Sequence, residues 1–327
     1  MVAFRGMVAC GPVSAAGVSD ALLDGVGERI WSVGEKRFIS ARKLAGEVLR
    51  ADYLLIGEVH DNPYHHKVQA WLIAGLSRVR KPAVVFEMIT EDQRGDLQRY
   101  LAKPGAGADG LGAALAWSKR GWPTWKIYRP IAEVALAAGL QINVGDASRK
   151  LVRSVGRKGL GSLGLEARVR LGLDRPLDAG LRAALATQLV EGHCNLLPKA
   201  AIGPMIGVQR FRDAAMAGSL LEAAKRVGVE GAVLIAGNGH ARSDRGVGWY
   251  LRRRVPGARI TTVLLIEAQP GERDSARLLA DAPNSPDGGP AGDYVWFTPP
   301  WPREDPCEGL RKLMEKRKKT GKNSSQP

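Results

Sequence analysis

Four short apolar runs in the chain are each followed closely by an ionisable side chain. The runs are Tyr53–Ile56, Ala83–Phe86, Gln141–Val144 and Ala232–Ile235. Helical patterns separate them, and strands that alternate with helices favour an α/β fold with a mainly parallel, doubly wound sheet. Such sheets bind ligands at the carboxyl ends of their strands. The pattern therefore constrains both the fold and the place where the chemistry lies.

The side chains that follow the runs are the first group of candidate site residues. They are Glu58 and His60, Glu87, Asp146, and His240. Glu58 and His60 are two residues apart, so an extended backbone would point both to one face. Carboxylates and imidazoles in one crevice could bind a divalent metal such as Mn or Zn, or act as general acid and base. Simpler roles stay open: Glu87 could pair with an arginine, Asp146 could cap a helix, and His240 could be a loop histidine.

A second group follows the first strand at a predicted helix start. Asn62 and Pro63 are typical of an N-cap and a first helical position. His65 and His66 then fall in the first turn, where the helix dipole disfavours protonation and leaves an imidazole able to ligate a metal. Adjacent helical residues point about 100° apart, so we expect at most one of the two to line a pocket.

Other ligand signals in the sequence are weak. An aromatic group, Trp117, Trp122, Trp125 and Tyr128, could stack on a flat cofactor or fill the core. The turn Gly237-Asn238-Gly239-His240 lacks the lysine of a P-loop and the third glycine of a dinucleotide fingerprint. Nucleotide binding is therefore not indicated.

The charge of the chain is strongly positive, with 48 basic and 33 acidic residues. This balance suits an anionic ligand, an anionic membrane surface or nucleic acid. We predict a disordered or leader-like N-terminus over residues 1–27, a helical insert at about residues 149–228, and a basic disordered tail over residues 308–327. The tail could meet an anionic membrane surface electrostatically, without sequence-specific recognition of nucleic acid.

The three cysteines lack the spacing of a structural zinc site. Met7-Val8-Ala9-Cys10 loosely resembles the lipid-attachment box of a bacterial lipoprotein, but the preceding stretch is too short for a signal peptide and contains Arg5. Cys194 and Cys307 could form a disulfide or remain separate thiols. No apolar run approaches the ~18 residues that a membrane span requires.

The motifs in their order resemble a known family. Residues 54–62 read Leu-Leu-Ile-Gly-Glu-Val-His-Asp-Asn, and the matching positions that follow are His65-His66, Phe86-Glu87-Met88, Gly192-His193-Cys194, Met205, Gln209, Arg212-Asp213, Met216 and Gly237-Asn238-Gly239-His240. This order resembles the ChaN-like haem-binding uptake family of the Tiki/TraB/erythromycin-esterase superfamily. The likeness runs from about Glu28 to Cys307. It departs where the family has Asn-x-Pro-Arg, because this chain reads Asn-Val-Gly-Asp at residues 143–146.

The resemblance implies an α/β domain over residues 28–307 that binds haem, with a role in haem or iron uptake or handling. Side chains able to act as axial ligands to haem iron are Tyr64, His65, His66 and His193. The superfamily's enzymes suggest an alternative, a metal-dependent peptidase or esterase-like hydrolase. Its catalytic and metal-binding residues would be Glu58, His60, Glu87 and His240.

The resemblance also bears on location and assembly. It implies the cell envelope, as a periplasmic or membrane-anchored lipoprotein, whereas a chain that truly starts at Met1 would be cytoplasmic. A homodimer is compatible with the sequence.

Overall fold

A computed structural model describes residues 20–280, 282–305 and 307–312. The strands in these ranges are β1 (Arg29–Ser32), β2 (Arg37–Ile39), β3 (Tyr53–Glu58), β4 (Ala83–Thr90), β5 (Ile142–Asp146), β6 (Ala232–Gly237), β7 (Ile260–Glu267) and β8 (Tyr294–Thr298). The α-helices are α1 (Ala41–Val48), α2 (Pro63–Ser77), α3 (Arg94–Leu101), α4 (Ala108–Ala114), α5 (Trp125–Ala137), α6 (Arg149–Lys158), α7 (Leu165–Leu171), α8 (Ala179–Gly192), α9 (Lys199–Ala224), α10 (Asn238–Ala241), α11 (Val247–Arg254) and α12 (Ser275–Ala280). Short 3-10 helices span Asp20–Leu23, Glu91–Gln93, Trp117–Lys119 and Leu160–Leu163.

The strands of the described ranges form one sheet in the order β2-β1-β8-β7-β3-β6-β4-β5. The six strands from β8 to β5 are parallel, and the hairpin of β1 and β2 adds two antiparallel strands at one edge. Both faces of β3, β4 and β6 are buried, which explains why these strands read as continuous apolar runs rather than alternating ones. The predicted α/β fold with a mainly parallel sheet is confirmed.

Helices cover both faces of the sheet and produce two cores. Alternate strand residues divide between them: Leu54 packs with α1, α2 and α5 on one face, whereas Leu55 packs with α8, α9 and α11 on the other. The chain leaves β3 toward the first face, through α2, and leaves the neighbouring β6 toward the second, through α10 and α11. Connections that diverge in this way open a crevice at the carboxyl ends of the two strands.

The turn from β3 into α2 forms as its sequence predicts. The Asn62 side chain accepts a hydrogen bond from the backbone N–H of Tyr64 at 2.8 Å, and Pro63 is the first helical residue. Proline suits this position because the first N–H groups of a helix have no partner within it. The turn thereby directs residues 58–61 over the edge of the sheet.

The ends of the described chain modify two expectations. The last residues of the predicted disordered or leader-like N-terminus take a defined structure, since a 3-10 helix begins at Asp20 and Val26 is buried against the first core. Cys194 and Cys307 form a disulfide and are not two separate thiols. Cys10 and most of the basic tail lie outside the described residues. None of the described helices combines the length and hydropathy that crossing a bilayer requires.

Candidate functional site

One arginine gathers the polar groups of three strands at the crevice. Arg212, on α9, donates from Nη2 to Glu87 Oε1 at 2.7 Å, from Nε to Asp146 Oδ2 at 2.6 Å and from Nη1 to His240 Nε2 at 2.8 Å. Glu87 and Asp146 are almost fully buried. Burial lowers the pKa of Arg212, but the two carboxylates outweigh it and hold that pKa above its ordinary value. The guanidinium is therefore a permanent cation between two buried acids.

A third carboxylate, that of Asp213, orients His240. Its Nδ1 lies 2.5 Å from Asp213 Oδ1, and the Gln209 amide lies 3.0 Å from the same nitrogen. Nδ1 directs its proton to Asp213, while Arg212 Nη1 lies 2.8 Å from Nε2. Burial raises the pKa of Asp213 to about 6, although His240 acts in the opposite direction. This carboxylate is thus ionised at neutral pH and fixes one tautomer of His240.

Glu58 is the centre of a neighbouring polar group. Its Oε1 accepts from the Tyr128 hydroxyl at 2.9 Å and lies 2.8 Å from His60 Nδ1, and its Oε2 accepts from Gln69 Nε2 at 2.6 Å. Burial by itself would raise the pKa of Glu58. His66 and His60 outweigh burial and hold that pKa far below its usual range. Glu58 is therefore a carboxylate with both oxygens occupied.

His60 connects the two groups and is the part of them most open to solvent. About a third of its side chain is exposed, and its Nε2 lies 3.9 Å from Glu87 Oε2. The Trp122 ring lies against it, with 5.0 Å between ring centroids. Burial lowers the pKa of His60, but Glu87 and Glu58 raise it to about 9. At neutral pH, His60 is an imidazolium between two carboxylates.

The structure brings the four predicted residues Glu58, His60, Glu87 and His240 together, but not as a metal site. Arg212 takes up the Nε2 lone pair of His240 and one oxygen of Glu87, which a metal would need. No group of three or more His, Cys, Asp or Glu side chains in the described ranges is arranged to hold a metal ion. The predicted Mn or Zn site is therefore not supported, because an internal cation already neutralises the carboxylates.

Both helix histidines are unsuited to haem ligation, contrary to the prediction. His65 Nδ1 accepts from the Val59 N–H at 2.8 Å and its Nε2 lies 2.9 Å from Thr298 Oγ1. Burial, with His66 nearby, lowers the pKa of His65 to about 3. His66 Nδ1 faces Gln69 Oε1 at 3.0 Å and its Nε2 faces the His60 carbonyl at 3.0 Å. Both rings are fully buried, so neither has a free nitrogen that haem could reach.

Tyr64 and His193, the other two predicted cofactor residues, keep a ligating atom free. Within the described ranges the Tyr64 hydroxyl has no hydrogen-bond partner, and its ring packs edge-on against Trp301 at 5.9 Å. His193 Nδ1 donates to the Leu189 carbonyl at 2.7 Å, which leaves the Nε2 lone pair available. Both side chains are half-buried.

The C-terminal segment connects the neighbourhoods of Tyr64 and His193. Arg303 forms an ion pair with Asp61 at 2.8 Å, three residues before Tyr64. Four residues later, Cys307 is bonded to Cys194, the neighbour of His193. Four residues of chain span roughly 14 Å at most. These two contacts therefore limit how far apart the neighbourhoods of Tyr64 and His193 lie.

Sequence reasoning missed several side chains that organise the site. Arg212 and Asp213 are among the positions of the family resemblance, but the sequence alone indicates no role for them. Gln69 could have been found from helical spacing, because it lies three residues after His66 on α2. Tyr128 was considered only as part of an aromatic group, whereas its hydroxyl bonds to Glu58 and its ring fills the core.

Comparisons with known proteins agree with this fold and these motifs. Residues 44–251 match the model of a family described as haem-binding uptake, Tiki superfamily, ChaN. A solved structure of cofacial haem binding to ChaN of Campylobacter jejuni superposes with a TM-score of 0.61 at 21% identity, covering 83% of this chain and 96% of that one. No curated protein matches the sequence.

Two further solved structures superpose more loosely. They are the type III effector HopBA1 (TM-score 0.45, 12% identity, 84% of this chain and 98% of that one) and a mutant erythromycin esterase in its open conformation (TM-score 0.40, 14% identity, 86% of each chain). Both fall below the level at which a superposition supports a common fold, and we draw nothing from them.

Proposed function

The chain belongs to the haem-binding uptake family of the Tiki superfamily, the ChaN type, and we propose that it binds haem beside the crevice, with Tyr64 or His193 as the iron ligand. The observation that carries this assignment is that these two residues, unlike His65 and His66, keep a ligating atom free. Phenolate and imidazole are both established haem ligands. The expected role is haem or iron uptake or handling.

The surroundings of Tyr64 fit a flat anionic cofactor. Trp301 is 42% exposed beside it and offers an aromatic face. The Lys67 ammonium lies 5.7 Å from the centroid of the Tyr64 ring and donates to the Asp24 carbonyl. Within the described residues Lys67 has no carboxylate partner, so it could pair with a haem propionate.

Haem titration of the purified protein tests the proposal. We expect a shifted Soret band, which Tyr64→Phe or His193→Gln weakens or displaces, whereas Tyr100→Phe serves as a matched control because its hydroxyl bonds to the Gly107 carbonyl at a distant helix. A wild-type protein without a Soret shift would refute haem binding. Unchanged spectra in both variants would refute only the choice of ligand. Transfer of bound haem to apomyoglobin would measure how readily the protein releases it, as a handling role requires.

The crevice supports a second candidate function, hydrolysis without a metal. Asp213 fixes the tautomer of His240, and Arg212 is placed to stabilise a negative charge. His60, with a pKa of about 9 and an accessible ring, could supply a proton to a leaving group. This reading keeps His60 of the predicted hydrolase as the acid, gives Glu58, Glu87 and His240 a positioning role, and removes the metal.

A panel of ester and amide substrates tests this second candidate. We expect turnover that survives a chelator and is lost in His60→Gln and in Arg212→Lys. Activity that needs added Mn or Zn would contradict the metal-free assignment. A protein inert toward the whole panel would leave haem binding as its sole supported function.

A further inference from the structure

The segment formed by α6, the following 3-10 helix and α7 is rich in positively charged side chains that take no part in the crevice. Residues 149–171, here called the α6–α7 segment, contain one acidic residue, Glu166. Their seven basic residues are Arg149, Lys150, Arg153, Arg157, Lys158, Arg168 and Arg170. Most of these side chains are exposed. Like charges concentrated at this density repel one another, so a purely structural role would not favour them.

The same segment exposes aliphatic side chains beside its cations. Leu151, Leu165 and Val169 are 46%, 67% and 55% exposed, and they are three of the seven large apolar residues exposed in the described part of the chain. Other apolar residues of the segment face inward: Val155 is buried in the second core, and Leu160 packs against it. The outward aliphatic residues therefore contribute little to folding.

A recess joins α6 and α7 and adds further unpaired cations. It has a volume of about 500 Å³. Its lining includes the cations Arg170, Lys225 and Arg254 and also the acidic residues Glu91, Asp146 and Glu222. Arg170 pairs with Glu166 at 3.7 Å. Arg254 Nη1 donates to the Ala214 carbonyl at 3.2 Å. Among the described residues, neither Arg254 nor Lys225 has a carboxylate partner. Burial, together with Arg170, lowers the pKa of Arg254, which is the sign of a positive charge that lacks an anion.

We propose that the α6–α7 segment is a binding surface for an anionic phospholipid bilayer. Lys and Arg side chains would meet the headgroups, and the exposed leucine and valine side chains would enter the boundary with the acyl chains. The segment has no aromatic residue that could stack on a base, and aliphatic side chains add little to phosphate contacts of nucleic acid. A second copy of the chain would be repelled by the same charge.

Co-sedimentation of the full chain with vesicles tests this surface. We expect binding to phosphatidylcholine vesicles that contain phosphatidylglycerol, no binding to pure phosphatidylcholine, and weakening by salt. The triple variant Lys150→Gln, Arg153→Gln, Arg157→Gln should bind about 100-fold more weakly, since each basic residue near an anionic surface contributes about fivefold. Leu165→Ser with Val169→Ser should weaken binding about tenfold through lost apolar contact.

A charge-matched control separates the surface from the net charge of the chain. Arg42→Gln, Arg50→Gln and Lys103→Gln remove the same charge from exposed positions on α1, just after α1 and just after α3, and these helices pack on the opposite face of the sheet. We expect this control to bind like the wild type. Equal losses in both triple variants, or none in either, would overturn the proposal. Loss of DNA retention without loss of vesicle binding in the first triple variant would overturn it in favour of nucleic acid.

Discussion

Arg212 is the residue whose removal most directly tests the description of the crevice. Arg212→Met leaves Glu87 and Asp146 buried without their cation, while keeping a long side chain in place. Removing one partner of a buried ion pair typically costs about 3–5 kcal/mol. About a fifth of the Arg212 side chain is exposed, so water screens part of the interaction. We therefore expect a loss of about 3 kcal/mol in the free energy of unfolding at pH 7.

The pH dependence of this loss follows from the carboxylates. Burial raises the pKa of Glu87, but His240, His60 and Arg212 together hold it at about 2, below its unfolded value of 4.5. The contribution of the Glu87 carboxylate to folding stability is therefore complete above pH 4.5 and is lost as the pH falls toward 2. Without Arg212 the folded pKa values of Glu87 and Asp146 should rise. The deficit of the variant should then be largest near pH 7 and smaller at pH 5, where protonation removes the unpaired charge.

Urea unfolding at pH 7 and pH 5 measures both effects. Arg129→Met is the control, because Arg129 also contacts two carboxylates, Asp109 and Glu133, but is 42% exposed. Its loss of stability should be much smaller than that of Arg212→Met, because solvent screens an exposed ion pair. Adding Asp146→Asn to Arg212→Met should restore part of the stability. A loss below about 1 kcal/mol for Arg212→Met, or a loss that does not change with pH, would refute the placement of a cation between two buried acids.

Three further changes probe other parts of the fold. Replacing Cys194 and Cys307 by serine removes a disulfide that links residues 113 positions apart and should lower the free energy of unfolding by up to about 5 kcal/mol. A reductant should produce the same loss in the wild type. Unchanged stability in both the serine variant and the reduced wild type would contradict a stabilising disulfide. Gly145→Ala places a Cβ against the Phe86 carbonyl oxygen and should lower the free energy of unfolding by about 1–3 kcal/mol. Gly34→Ala meets nothing within 4 Å and should be nearly neutral in the same urea titration. The pKa of His65 is about 3 in the folded protein and 6.5 in the unfolded chain, so its contribution to the stability of the fold is complete above pH 6.5 and is lost as the pH falls toward 3. His65→Asn should flatten the decline of stability in this range. An unchanged slope would show that His65 is not buried as a neutral ring.

Local patterns predicted much of the fold and part of the site. Asn62 and Pro63 begin a helix because the N-cap and the first helical position depend only on neighbouring residues. Parallel strands were predictable from their apolar runs and the helices between them. Their carboxyl ends must then share one edge, so Glu58, Glu87 and His240 were predictable as neighbours.

Tertiary contacts decided which chemistry those residues can perform. Helical periodicity shows which face of α9 is buried, but it does not show that Arg212 reaches Glu87 and Asp146, which lie 125 and 66 residues away in sequence. The same holds for His65, whose Nε2 is taken by Thr298 of the last strand, 233 residues later. The sequence predicts that at most one histidine of α2 lines a pocket as a ligand, and it does not distinguish Arg212 from the other cations. Long-range packing settled these roles, because a lone pair or a charge is available only if nothing from another part of the chain occupies it.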